Sequence, residues 1–406
     1  MKTILSNKVW LLLMLLLVSA LSFEIIPAWI PSLRKEWLLL VVAFMVIVIY
    51  RPKQLHEGGL LVIWIVYCLA VFSRVALGSQ LFSSYPIAIY EVLMIFMAIF
   101  LPLIVISINS QQFMKTLLLV TFVFLIINTI GSYFLLKTYP GAIRNMYTLL
   151  QEEGASAGYE LYRFGLISYS FCHGLPILVP PLFYLFKTHK KKGFRWLFAI
   201  SIVLCCVLVW MSESTTALIM VFVLVLLGFV TKPRRNSVSV IMLIVLMIPV
   251  ILSDAIQLYA LDALDSLLGS DSPVSERIYE LEHSITQGEQ TGDLEGRMNK
   301  YSTSIEMFYS SPLWGSSGMP GRHSGLLDRL GVLGLIGFVP FSMLIMGFFK
   351  EIYSIIPKSA RLFFIEAVIF GIALSLSKSM WFWPVLFCMF VIMPFLFICN
   401  FDKAKS

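Results

Sequence analysis

Four polar residues in this apolar chain have side chains suited to phosphate and proton chemistry. Arg322 and His323 are adjacent in the stretch GMPGRHSGLLDRLGVLGLIG, residues 318–337, where a long polar segment gives way to an apolar run. Arg163 closes an earlier polar segment, and Arg297 stands in the same late polar segment as Arg322. A guanidinium offers a planar fork of donors that grips two phosphate oxygens at once. An imidazole takes up or gives back a proton near neutral pH. Taken singly, each arginine is better explained as a solvated interfacial residue anchoring a helix end.

Further polar residues fall inside apolar runs, where charge is costly and is either paired or functional. Arg74 and Glu91 lie near facing ends of consecutive runs, about one helical turn below the surface, and an Arg74–Glu91 ion pair is expected in preference to a substrate contact. His173 sits within FGLISYSFCHGLPILVPPLF and is expected to be a hydrogen-bonded packing residue. Gly174, Pro176, Pro180 and Pro181 around it imply a broken helix. Asp328 lies five residues beyond His323 and off its helical face, so it fits a local ion pair with a neighbouring helix better than a role in orienting His323. The six cysteines all lie in apolar runs without zinc-ligand spacing and read as small buried hydrophobes. There is no Walker loop, no HExxH and no CxxC pair, so neither a metal nor a cofactor is expected.

The elements that must position these residues are membrane helices. The 406-residue chain is 59% hydrophobic and 13% charged, against roughly a quarter charged in soluble domains. Apolar runs recur from end to end and read as about twelve spans, near 9–26, 37–50, 58–77, 86–107, 115–135, 164–186, 195–212, 214–231, 237–257, 325–349, 361–377 and 380–400. Lys and Arg concentrate in alternate connections, among them Lys187, Lys190, Lys191, Lys192, Lys232, Lys350, Lys358 and Arg361. By the positive-inside rule both termini are then cytoplasmic, and Arg163, Arg297, Arg322 and His323 all face the other side. The net charge of +7 follows from this topology and does not call for nucleic acid.

The expected fold is therefore all-α, one integral membrane domain over residues 1–406. Its large extracytoplasmic loop, about 258–324, carries amphipathic helices of its own. In SDSPVSERIYELEHSI, Ser272 and Pro273 form a helix start, with Val274, Ile278, Leu281 and Ile285 on one face. In GRMNKYSTSIEMFYSSP, Met298, Tyr301, Ile305 and Phe308 recur at helical spacing before Pro312 ends the run.

Three segments carry a resemblance to the O-antigen polymerase and O-antigen ligase family, the Wzy and WaaL type. RFGLISYSFCHGLP, residues 163–176, resembles the family's Arg-then-Gly entry into a helix, and MSESTTALIMVF, residues 211–222, is similar to its Ser/Thr-rich start of a span. The third segment, Gly296 to Gly337, follows the family order: Arg297, an amphipathic helix, Pro312 to Gly315 as a Pro-x-x-Gly turn, His323, and a Leu-rich stretch with Gly-x-x-Gly. Ser324 departs from it, since the family usually has Asn after the His.

The resemblance implies a GT-C-like membrane glycosyltransferase of the bacterial cytoplasmic membrane. Its substrates would be glycans on undecaprenyl diphosphate, as donor and as acceptor, used at the outer leaflet for O-antigen, capsule or exopolysaccharide. Arg163, Arg297 and Arg322 would bind the diphosphate and His323 would act as general base or as a further diphosphate ligand, with inversion at the anomeric carbon and no metal. A chain-length regulator and a flippase are implied partners. Polymerase is the preferred reading, with ligase-type transfer or a polysaccharide or lipid transporter as alternatives.

Overall fold

The computed structural model describes residues 18, 22, 59–107, 111–139, 141–143, 146, 160–233, 279, 292–378 and 381–399. The helices are α1 (Leu60–Ala76), α2 (Tyr85–Ser107), α3 (Gln111–Thr138), α4 (Tyr169–Thr188), α5 (Lys192–Met211), α6 (Thr215–Val230), α7 (Gly292–Ser310), α8 (Gly325–Ile355), α9 (Arg361–Ser377) and α10 (Trp383–Ile398). The chain is an all-helical polytopic membrane protein. Among the described residues there is no strand, and six helical stretches are long and apolar enough to cross a bilayer. In hydrocarbon a backbone polar group has no water to bond, and a helix pairs these groups within one segment.

The expected spans from 58–77 to 214–231 and from 325–349 to 380–400 appear as α1–α6 and α8–α10. The expected spans 37–50 and 237–257 and the Ser272-to-Ile285 helix lie outside the described residues, apart from Tyr279 in the last. From the 9–26 run, Val18 and Ser22 are helical, and the Ser22 hydroxyl accepts from Trp383 Nε1 at 3.0 Å, which sets this segment against α10.

The bundle has two distinguishable ends. At one, the Lys187 ammonium donates to the Phe229 and Thr231 carbonyls, Thr231 Oγ1 donates to the buried Glu366, and Tyr184 bonds Ser359. Lys115, Lys190, Lys191 and Lys192 also lie at this basic end. The opposite end carries the α4, α6 and α8 starts and the Arg322–His323 loop. Between the ends, α4 is the central post. It is buried along most of its length and packs on α5, α6, α9 and α10. Gly174 lets α10 approach so closely that a Cβ there would stand 2.8 Å from Cys388 Sγ. Close approach at small residues is how helices associate where hydrophobic burial offers little drive.

Two sequence expectations change here. The prolines do not break α4: the helix runs from Tyr169 to Thr188 straight through Pro176, Pro180 and Pro181. Each proline removes one donor, but in an apolar, protein-packed setting unwinding would orphan more backbone groups than it would free.

The Arg74–Glu91 pair is not formed either. Glu91 is bonded by Arg329, whose Nε and Nη2 reach Oε1 at 3.0 and 2.5 Å, while the Tyr67 hydroxyl donates to the same oxygen at 2.9 Å. Arg329 also donates to the Gly325 carbonyl and lies over the Trp381 and Phe341 rings. This buried knot ties α1, α2 and α8 together. Arg74 instead donates to the Trp314 carbonyl at 3.1 Å, and among the described residues its Nε has no hydrogen-bond partner.

Breaking a buried pair by removing one partner strands the other charge and costs about 3–5 kcal/mol. Arg329→Leu should therefore sharply lower the melting temperature of the detergent-solubilised protein. Glu91→Gln combined with Arg329→Met should recover most of the loss. Equal melting of all three forms would show that the knot does not hold the bundle.

Candidate functional site

The site is built where α7 turns into α8. Helix α7 stops at Ser310, two residues before Pro312. The turn after it, Pro312 to Gly315, is keyed into a gap in α8. Gly334 has φ 58° and ψ −170°, so α8 is kinked there. The amides that the kink frees bond to the turn: Leu335 N–H donates to the Pro312 carbonyl at 2.8 Å and Ile336 N–H to the Leu313 carbonyl at 3.1 Å. In return Ser316 N–H donates to the Gly331 carbonyl at 2.9 Å. A Cβ on Gly315 would fall 2.0 Å from the Val332 carbonyl oxygen, and one on Gly334 would fall 2.4 Å from the Gly315 nitrogen. The Pro-x-x-Gly and Gly-x-x-Gly motifs are thus two halves of one backbone lock. Broken helix at membrane depth is tolerated because the loop, rather than lipid, faces it.

The chain then returns over α7 to reach α8. Ser304 of α7 donates to Asp328 Oδ1 at 2.6 Å and accepts from Gly321 N–H at 3.0 Å. Asp328 also accepts from the Arg322 backbone N–H. Gly321 lies so close to α7 that a Cβ would stand 1.9 Å from the Lys300 carbonyl oxygen. Asp328 therefore bonds the neighbouring helix through a serine hydroxyl rather than in the expected ion pair, and it also fixes the backbone just before His323. The buried face of α7 centres on Ser304 and Met307 rather than on the expected stripe, in which Ile305 is exposed. The reason is Gly331, which admits the α8 backbone against the Ser304 carbonyl.

Arg322 is exposed and adopts φ 56°, a left-handed backbone that a bulky residue rarely takes. Its neighbour His323 is half-buried with its ring edge-on to Tyr301, centroids 5.3 Å apart. Tyr301 is anchored by its hydroxyl, which donates to the Ser377 carbonyl at 2.9 Å. Ser324 follows as the buried N-cap of α8, its hydroxyl accepting from Leu327 N–H at 3.2 Å. Serine is as good a cap as asparagine, so the departure from the family pattern preserves the cap. Gly325 N–H donates to the Lys378 carbonyl at 2.9 Å, which joins the α8 start to the end of α9.

A second cluster lies beside the start of α4. His173 Nδ1 is 2.9 Å from the Tyr169 carbonyl and Nε2 is 2.8 Å from Ser214 Oγ. The carbonyl can only accept, so Nδ1 carries the hydrogen, and the Ser214 hydroxyl donates to Nε2 in the neutral ring. This bond joins two of the segments on which the family resemblance rests. Beside it Glu213 holds φ 53°, which with Arg322 makes two non-glycine residues in left-handed backbone among the described residues, both in connecting loops at the same end of the bundle.

The predicted site residues are therefore placed unequally. The Arg322–His323 loop is held against α7 by the Gly321 N–H bond to Ser304 and by the contact of the His323 and Tyr301 rings. Arg297 lies within α7, four positions before Tyr301. Arg163 belongs to a different wall, at the end of the short helical turn 160–163. The segment after it packs on α3, where Ile167 N–H donates to the buried Ser132 hydroxyl at 3.0 Å. Sequence reasoning missed Tyr301, Ser304 and Lys378 as positioning residues; Ser304 and Tyr301 carry no motif signal beyond helical spacing. Among the described residues no group of three or more His, Cys, Asp or Glu is arranged to hold a metal ion.

Comparison with known families bears on this region. Residues 199–342 match the family model described as O-antigen ligase, Wzy_C. The match starts in α5, takes in Arg297, Arg322, His323 and the Gly331–Gly334 lock, and ends in α8. It supports membership of the O-antigen ligase and polymerase family, and with it a glycosyltransferase-like enzyme in a multi-pass membrane protein. No curated protein and no solved structure matches the chain.

If the α7 contact sets the Arg322–His323 loop, Gly321→Ala should cost about 1–3 kcal/mol by overpacking. That loss would read as a lower melting temperature in detergent. Gly193→Ala, where nothing lies within 4 Å of the added carbon, should melt like the parent.

Proposed function

We propose that the protein polymerises oligosaccharide repeat units carried on undecaprenyl diphosphate at the outer face of the bacterial cytoplasmic membrane. The observation that carries this reading is the Arg322–His323 loop, pinned between α7 and the start of α8 inside the family-matched segment. The resemblance supplies the substrate class, and the excess of Lys and Arg at the opposite end supports an outward-facing site with both termini inside.

In the proposed reaction an acceptor sugar hydroxyl attacks the anomeric carbon of the donor glycan. The new C–O bond forms as the bond to the diphosphate oxygen breaks on the opposite face, so configuration inverts. The hydroxyl proton passes to the His323 imidazole and the diphosphate leaves with the electron pair. Fixed guanidinium groups stabilise the charge that grows on the leaving group, and their worth is largest where water is excluded. Arg163, Arg297 and Arg322 take that role without a metal ion. Tyr301 limits how the His323 ring can turn, and the α8 cap keeps the ring at the helix mouth.

A ligase-type transfer to a different acceptor is the second reading, favoured by the description of the matched family model. A chain-length regulator and a flippase would serve either reaction.

The test is the glycan pattern in cells lacking their own copy, with parent and variants at equal membrane levels. The parent should restore a ladder of repeats. His323→Ala should lower transfer by about 10²–10⁴-fold, the usual contribution of a general base. Arg297→Ala and Arg163→Ala should likewise leave single repeats on lipid. One full-length glycan moved to a new acceptor without any ladder would select ligase over polymerase. Unchanged ladders in all three variants would refute a glycosyl-transfer site at these residues.

A further inference from the structure

A cavity of about 880 Å³ opens between α3, α4, α5 and the second half of α10, at the basic end and away from the site described above. Its polar lining is gathered at one end. Gln111, Gln112, Lys115 and Thr116 come from the start of α3, and Lys191 directly precedes α5. Lys191 is exposed and is flanked by the equally exposed Lys190 and Lys192. Both α3 and α5 also begin here, so their N-terminal partial positive charges add to that of the lysines.

The rest of the wall is apolar, with leucine and phenylalanine side chains such as Leu125, Leu182 and Phe198. Two hydroxyls lie among them, and both are already engaged. Thr121 Oγ1 donates to the Leu117 carbonyl at 2.9 Å and Ser201 Oγ to the Leu197 carbonyl at 2.9 Å. A molecule filling this cavity therefore meets cations at the mouth and an apolar wall behind it. Free phosphate would leave the interior dry and empty, and a neutral hydrocarbon would gain nothing from the lysines.

We infer that this cavity is a binding site for an anionic phospholipid of the leaflet at the basic end. Its phosphate would lie between Lys115 and Lys191, with an acyl chain between α3 and α5. By the distribution of Lys and Arg this is the cytoplasmic leaflet, whose anionic lipids are drawn to basic pockets between membrane helices. The site is independent of the glycosyl-transfer reading: it lies at the other end of the bundle and shares no residue with it.

The experiment is native mass spectrometry of the full-length protein released from nanodiscs of equal phosphatidylglycerol and phosphatidylcholine. The parent should retain phosphatidylglycerol in preference to phosphatidylcholine. Lys115→Glu with Lys191→Glu should cut that preference by about tenfold, since each lysine near an anionic headgroup contributes several-fold. Lys350→Glu, an exposed lysine at the same end that does not line the cavity, should keep it. Leu125→Trp, which fills the cavity and leaves its charge unchanged, should lose the bound lipid while melting near the parent temperature. Should that variant fail to fold, the charge pair alone decides. An intact preference in the double lysine variant, or an equal loss in Lys350→Glu, would overturn the proposal, as would full lipid retention in a folded Leu125→Trp protein.

Discussion

A backbone amide at membrane depth must find a partner within the protein, and the region around His323 is organised by that demand. The kink at Gly334 frees amides in the first half of α8, and the Pro312–Gly315 turn is the element that meets them. Because the turn is held at Leu335 and Ile336, α7 is brought alongside α8. Because α7 lies there, Ser304 can reach both Asp328 and Gly321. The position of His323 is thus a late consequence of hydrogen bonds made a helical turn or more away. Catalytic groups need placement within a fraction of an ångström, and a rigid support supplies it better than a free loop.

Electrostatics divides the molecule in a corresponding way. Glu91, deep between α1, α2 and α8, is matched by Arg329 and Tyr67, and that charge is spent on holding helices. Arg74 is bonded to a neutral carbonyl, and among the described residues no carboxylate pairs with it. Arg322 is exposed. Among the described residues these two guanidinium groups, Arg74 and Arg322, thus lie at the end that carries the Arg322–His323 loop without a carboxylate ion pair. At the opposite end the lysine-rich connections set the helices against the other leaflet. One composition, basic overall, serves two unlike purposes according to depth and side.

Much of the fold was legible because hydrocarbon imposes a blunt rule: apolar runs of sufficient length become helices. That rule located α1 to α6 and α8 to α10 to within about six residues, the largest miss being the far end of α8 at Ile355 rather than 349. It could not say which helices touch. Arg74 and Glu91 are neighbours in chain order and in depth, yet the partner of Glu91 comes from α8, more than two hundred positions later. The prolines of α4 misled for a related reason, since local propensity predicts a break that the surrounding helices do not permit. At the site, Arg322 and His323 stood out by residue type. The Pro-x-x-Gly and Gly-x-x-Gly patterns were visible, but not the fact that each exists to receive the other. A left-handed arginine and a serine bridging two helices leave almost no trace in sequence, because their cause is tertiary.

The lock between the turn and α8 also acts as a molecular ruler. From Ser316 to Gly331 the chain leaves one side of the lock, loops over α7, caps a helix and comes back to the other side, bonded to itself at both ends. A closed circuit of fixed circumference has no slack to give. An inserted or deleted residue within it could not be absorbed by sliding, and would have to be expressed as a rotation of the α8 entrance. Relatives that share this architecture should accordingly differ freely in what the circuit displays, but hardly at all in its length.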